Sequence, residues 1–114
     1  MTENELSKIL GGHDTVLIAT IREIVIGGAG GFHRRWAIVM EVDEVLRGEK
    51  IGPSIVTYVH SPTQEFPLLE EKERIGAKTL WAFKTKGNAF VSAVHLSQLE
   101  PLDRVLVRVR KLLE

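Results

Sequence analysis

From Thr15 to Ile26 the chain is dominated by β-branched side chains, among them Val16, Ile18, Thr20, Ile21, Ile24, Val25 and Ile26. Branching at Cβ restricts χ1 and suits a pleated, packed surface better than a helix. Two alternating sets lie along the run, Leu17–Ala19–Ile21 and Val16–Ile18–Thr20, and both are largely apolar until Arg22 and Glu23 interrupt. The pattern predicts a strand over 15–26, buried on both faces early and more exposed late.

The rest of the chain extends this beginning. Gly27-Gly28-Ala29-Gly30-Gly31 follows, and four glycines in five residues predict a mobile hairpin tip supplied by Gly27, Gly28, Gly30 and Gly31. A second strand is expected over 33–45, where Trp36, Ile38, Met40 and Val42 alternate with Arg35, Ala37, Val39, Glu41 and Asp43. Val42 and Val45 lie three apart, which calls for a β-bulge or a strand end near Asp43-Glu44. Further strands are expected over 54–59, 77–84 and 89–96. Pro53 starts the third, and Lys86-Gly87-Asn88 turns between the last two with glycine at a positive-φ position. Leu6, Ile9 and Leu10 predict a short helix over 3–10, stopped by Gly11-Gly12. Leu102, Val105, Leu106, Val109 and Leu113 predict an amphipathic helix over 101–113. The fold class is therefore mostly β: a five-stranded OB-like barrel with a short N-terminal helix and a C-terminal amphipathic helix, one domain over 1–114.

Composition bounds the function. Fifteen basic residues balance fifteen acidic ones, whereas a dedicated nucleic-acid binder carries a basic excess to meet phosphates. The same neutrality weakens mutual repulsion and favours self-association. The absence of cysteine removes disulfides, thiolate metal sites and cysteine nucleophiles. No apolar run reaches the length of a membrane span, and the acidic start Met-Thr-Glu-Asn-Glu-Leu does not read as a signal peptide. The chain as it stands is expected in the cytoplasm, or exported if a leader precedes it.

The run Val42-Asp43-Glu44-Val45-Leu46-Arg47-Gly48-Glu49, then Gly52, then Ile55-Val56-Thr57-Tyr58-Val59 resembles a strand ending in V-x-x-V-L-K-G followed by a glycine and a strand I-x-V. That pattern recurs in small bacterial and archaeal proteins. Asp14 to Ile21 is similar to their A-D-x-V-V-x-G-x-V. Phe66, Leu68 and Ile75 to Phe83 are similar to their F-x-x-G-x-x-Y-L-L-F-L. These proteins resemble the barrel of the tissue-inhibitor-of-metalloproteinases and netrin-module superfamily, and the likeness covers roughly Asp14 to Leu96. It implies a barrel and transfers no functional residue, because those inhibitors chelate the protease metal through an N-terminal cysteine that this chain lacks.

The residues themselves offer several weak constellations. His13, His33, His60 and His95 have no local metal-ligand spacing, which favours four strand-end histidines over a metal site. His33-Arg34-Arg35-Trp36 follows the glycine loop, where cations and an aromatic side chain suit a nucleic-acid backbone and a stacked base. The alternation nevertheless places Trp36 with Ile38 and Met40 toward the core. Arg104, Arg108, Arg110 and Lys111 read as a solvated helix face that complements the dipole. The glycine loop lacks the following helix or Gly-Lys-Ser/Thr of a phosphate site. Glu41 and Asp43 share a strand face, expected to be solvated. Ser92 and His95 fall on opposite faces, so no nucleophile–base pair is expected between them. Phe66-Pro67-Leu68-Leu69 either plugs the barrel end or forms an apolar patch for a partner.

These readings lead to a non-catalytic binding or interaction domain with a protein or peptide partner, a second copy of itself included, and no cofactor. The alternative is weak single-stranded nucleic-acid or polyanion binding through Arg34, Arg35 and Trp36, and the most distant is a metal-dependent or hydrolytic enzyme. The binding residues expected from sequence are Arg34, Arg35, Trp36, Phe66 and Leu68.

Overall fold

A computed structural model describes residues 1–27, 34–49, 52–61, 75–87 and 89–114, with side chains described for most of them. The element order is α1 (Glu3–Gly11), β1 (Thr15–Gly27), β2 (Arg34–Arg47), β3 (Ser54–Ser61), β4 (Lys78–Lys86), β5 (Ala89–His95), α2 (Leu96–Leu99) and α3 (Leu102–Leu113). The strands form one antiparallel, curled half-barrel sheet in the order β3-β2-β1-β4-β5. Among the described residues its ladder is open between β3 and β5.

The two apolar sets of β1 face two different cores. Leu17, Ala19 and Ile21 join Ile38, Met40, Ile55, Trp81 and Phe83 on the inner face of the curl. Val16 and Ile18 join Leu80 and Ala82 on the outer face, under Leu6 and Leu10 of α1, Leu96 of α2 and Val105 and Val109 of α3. A strand buried on both faces must be apolar at both parities, and Thr15–Ile21 is buried throughout. Beyond Ile21 the strand pairs only with β2 among the described residues, and Arg22 and Glu23 are exposed there.

The expected irregularity in β2 is a pair of bulges. Ile18 lies opposite Glu44 but Ala19 lies opposite Val42, so Asp43 is extra; Leu46 is skipped likewise between Val45 and Arg47. The extra residue at Asp43 lets Val42 and Val45, three apart, both pack on the inner core. The second bulge turns Leu46 to the helix side.

The helices start and stop for local reasons. Thr2 caps α1, its hydroxyl accepting the Glu5 N–H at 3.1 Å. Arg47 donates to the carbonyl of Leu10 at 2.5 Å, covering an orphan acceptor at that helix end. The expected C-terminal helix is α3, and an unexpected one-turn helix precedes it. Leu96–Leu99 forms one turn, Glu100 is extended, and Pro101 precedes α3 at its N-cap, because the residue before proline is driven out of the helical region. Leu96, expected at the end of β5, instead starts α2. Strands 1 to 4 run to Gly27, Arg47, Ser61 and Lys86, one or two residues past expectation. Gly87 takes the anticipated positive φ, 64°.

Candidate functional site

The sequence-expected binding residues are only partly in view. The backbone places Arg34, Arg35 and Trp36 at the far end of β2, opposite Ser61, His60 and Val59 of β3, in the section of the sheet that runs past β4. Gly27, expected in the loop, is the last residue of β1 and faces Arg35. Gly28, Gly30, Gly31, Phe66 and Leu68 lie outside the described residues, as do His33 and the segment 62–74.

Two of the three arginines of α3 are paired with carboxylates. Arg108 donates to Glu100, a side chain only 11% exposed. Arg110 grips Glu44 through two bonds of 2.9 and 3.1 Å. The guanidinium holds the Glu44 carboxyl below the usual carboxylate range, and Glu100 is lowered in the same way by Arg108. Phosphates would compete with carboxylates already in place.

The other acidic residues near the sheet are likewise tied to structure. Arg22 bonds Glu41 across the β1–β2 ladder at 2.8 Å. Asp43 accepts from the Thr20 hydroxyl at 2.6 Å. Asp14 accepts from the backbone N–H of Thr85 at 3.1 Å and from the hydroxyls of Thr85 and Thr15 at 2.9 Å each. Those bonds, the Thr85 N–H foremost, hold the Asp14 carboxyl below its ordinary range. None of these carboxylates is left facing another as an acid–base pair. Among the described residues, no cluster of three potential metal ligands forms.

Ser92 and His95 do not meet. Ser92 lies 3.3 Å from His13, while His95 pairs with Ser97 at 2.8 Å. The Ser97 hydroxyl also accepts the Leu80 N–H at 3.0 Å, a ladder donor beyond the end of β5. The His95 ring stacks on Trp81 at 4.5 Å beside a small cavity of about 100 Å³ that Thr79, His95 and Ser97 help to line. The arrangement extends the β4 ladder into α2.

The larger concavity lies where β2 bulges. A groove of about 580 Å³ is lined by Val42, Asp43, Glu44, Val45, Gly48, Gly52 and Pro53. Val42 and Val45 connect its floor to the inner core. The Val42 N–H bonds the Pro53 carbonyl at 2.9 Å, which fixes one wall to the other. Gly48, at φ 103°, sits so close to Asp14 and Thr15 that a Cβ would fall 3.0 Å from their oxygens. The two carboxylates lie at the rim, each with one structural partner and lone pairs to spare. The spacing of Val42 and Val45 indicates the bulge; nothing in the sequence indicates that the bulge borders a groove. Comparison with known protein families, with characterised proteins and with solved structures returns no match to this chain.

Proposed function

We propose that the chain is a non-catalytic protein-interaction module on an OB-like half-barrel, and that the groove at the β2 bulge takes a peptide segment of the partner. The order β3-β2-β1-β4-β5 supports the OB-like label, since it is the order of a five-stranded Greek-key barrel opened between its third and fifth strands. The resemblance to the netrin-type barrel points the same way.

The observation that carries the functional reading is the apolar floor of the groove, formed by Val42, Val45 and Pro53. The carboxylates at its rim are held by Thr20 and Arg110 and keep lone pairs for a further donor. The groove's volume falls within the range of small-ligand clefts, about 300–1,000 Å³. Such clefts converge several polar groups on their ligand, and here the charged groups at the rim are both carboxylates. An apolar side chain flanked by a lysine or arginine matches apolar walls under an acidic rim.

Gly52 supplies the test. A Cβ at this position would meet no atom within 4 Å, and the backbone there has no left-handed φ, so Gly52→Trp adds bulk to the groove lining without backbone strain. Random peptides displayed against the immobilised domain are expected to enrich for a basic residue beside an apolar one. The winners should lose at least about tenfold in affinity, about 1.4 kcal/mol, on the Gly52→Trp protein. No enrichment, or winners indifferent to that substitution, would overturn the reading.

A further inference from the structure

The charges of this sheet are distributed the wrong way round for a protected monomer. Natural sheets guard their edges with lysine, proline or short strands, because an unpaired row of N–H and C=O groups is a template for another strand. Here the inner strands carry the charge, Arg22 on β1, Glu41, Asp43 and Arg47 on β2, and Lys78 and Lys84 on β4. Among the described residues the edge strands are β3, SIVTYVHS, and β5, AFVSAVH, and neither contains Asp, Glu, Lys, Arg or Pro.

The two edges differ in quality. On β5 the register slips between Lys84 and Thr85, leaving Val91 without a partner on β4, and such a bulge twists an edge away from regular pairing. On β3 the register with β2 runs unbroken from Ser54 to Ser61. The bond from Val42 N–H to the Pro53 carbonyl sets the parity of that ladder. Pro53 faces β2, so by alternation the backbone groups of Ser54, Val56, Tyr58 and His60 point away from β2, toward the edge. Val56 is 44% exposed.

We propose that two copies of the chain pair through β3, antiparallel across a twofold axis in a register centred on Thr57, joining two half-barrel sheets into one. A twofold contact sets each residue against its own symmetry mate or near neighbours. A charged strand would therefore meet its own sign, and β3 carries none. A foreign peptide makes no such demand on the edge it joins. The formal net charge of zero removes long-range repulsion between copies as well. This interface goes beyond the groove reading and is independent of it.

Sedimentation velocity of the full chain over a dilution series tests the proposal, with Val56→Pro and Val56→Lys beside it. Val56→Pro deletes an outward N–H and leaves the β2 ladder intact, a place where edge strands tolerate proline. Val56→Lys keeps the backbone and sets like charges near the axis, so it decides the matter if the proline variant misfolds. The expected result is a dimer in the parent chain, with dissociation raised about a hundredfold or more in each folded variant, native-like circular dichroism, and a Gly52→Trp protein that still dimerises. A parent chain that is monomeric at every concentration would overturn the proposal. So would a dimer insensitive to both substitutions, whether it forms through β5 or any other surface.

Discussion

β1 and β3 both feed the inner core, Leu17, Ala19 and Ile21 from one and Ile55 from the other, yet they stand in opposite situations. From Val16 to Thr20, β1 is paired with β2 on one side and β4 on the other, and it is packed on both faces. β3 pairs with β2 alone among the described residues, and its Val56 is nearly half exposed. Both strands are rich in β-branched residues. Their composition is similar because a strand needs it; their roles differ because position in the sheet decides what that composition touches. The central strand puts its apolar surface into stability, and the edge strand, among the described residues, keeps one backbone row and part of its surface outside the sheet.

The sharpest way to break this contrast is truncation. Leu17 is fully buried, so Leu17→Ala removes transfer energy and leaves a cavity, and is expected to cost about 2–5 kcal/mol of unfolding free energy. Val56→Ala removes exposed carbons and is expected to stay within about 0.5 kcal/mol for the monomer. Denaturant titration of both variants, at a concentration where the protein is monomeric, reads the difference. Equal losses would mean that β1 is not the seat of stability.

A smaller effect probes the polar thread inside the two-sided region. The buried Thr79 hydroxyl donates to the Ala19 carbonyl at 2.9 Å and accepts from the Trp81 indole at 2.7 Å. Thr79→Val keeps the shape and orphans a buried indole N–H, at an expected cost of about 1–3 kcal/mol, while Thr79→Ser retains the acceptor and should recover most of it. Trp81 fluorescence during unfolding follows both. A Thr79→Val protein as stable as the parent would show that the inner core tolerates an unpaired donor at this point.

Much of this architecture is legible in the chain because alternation over a long run has one interpretation. The two-sided burial of Val16 to Ile21 follows from two apolar parities, and the bulge at Asp43 from two core valines three apart. What escapes depends on distance. Leu96 ends an apolar strand in sequence; it instead opens a helical turn, in which Ser97 meets the Leu80 N–H and which Pro101 limits. Arg110 reads as a solvated cation until α3 is laid beside Glu44. The groove is invisible in sequence because its walls are a backbone bulge and a turn, held together by the Val42–Pro53 bond. Arg34, Arg35 and Trp36 are in register with β3, but what their side chains grip is not carried by backbone pairing.

The smallest expected effect concerns the place where central strand and neighbour are pinned at their start. Asp14 ties β1 to Thr85 of β4 through its carboxylate, and its pKa is lowered by those bonds, the Thr85 N–H first. A carboxyl depressed in the folded state contributes stability above its unfolded pKa, about 4. That contribution fades as pH falls through this value toward the lower folded one, because the unfolded chain then binds the proton more readily. Asp14→Asn removes it at the outset. The variant should melt below the parent at neutral pH, and the gap should close on going from about pH 7 to about pH 3. Glu44 and Glu100, also lowered by their arginines, keep an acid limb in both proteins, so it is the difference between the curves that reports Asp14. A constant gap across that range would mean the carboxylate's charge is irrelevant to the pin and only its shape matters; the β1 start would then be held by burial alone, as the rest of the strand is.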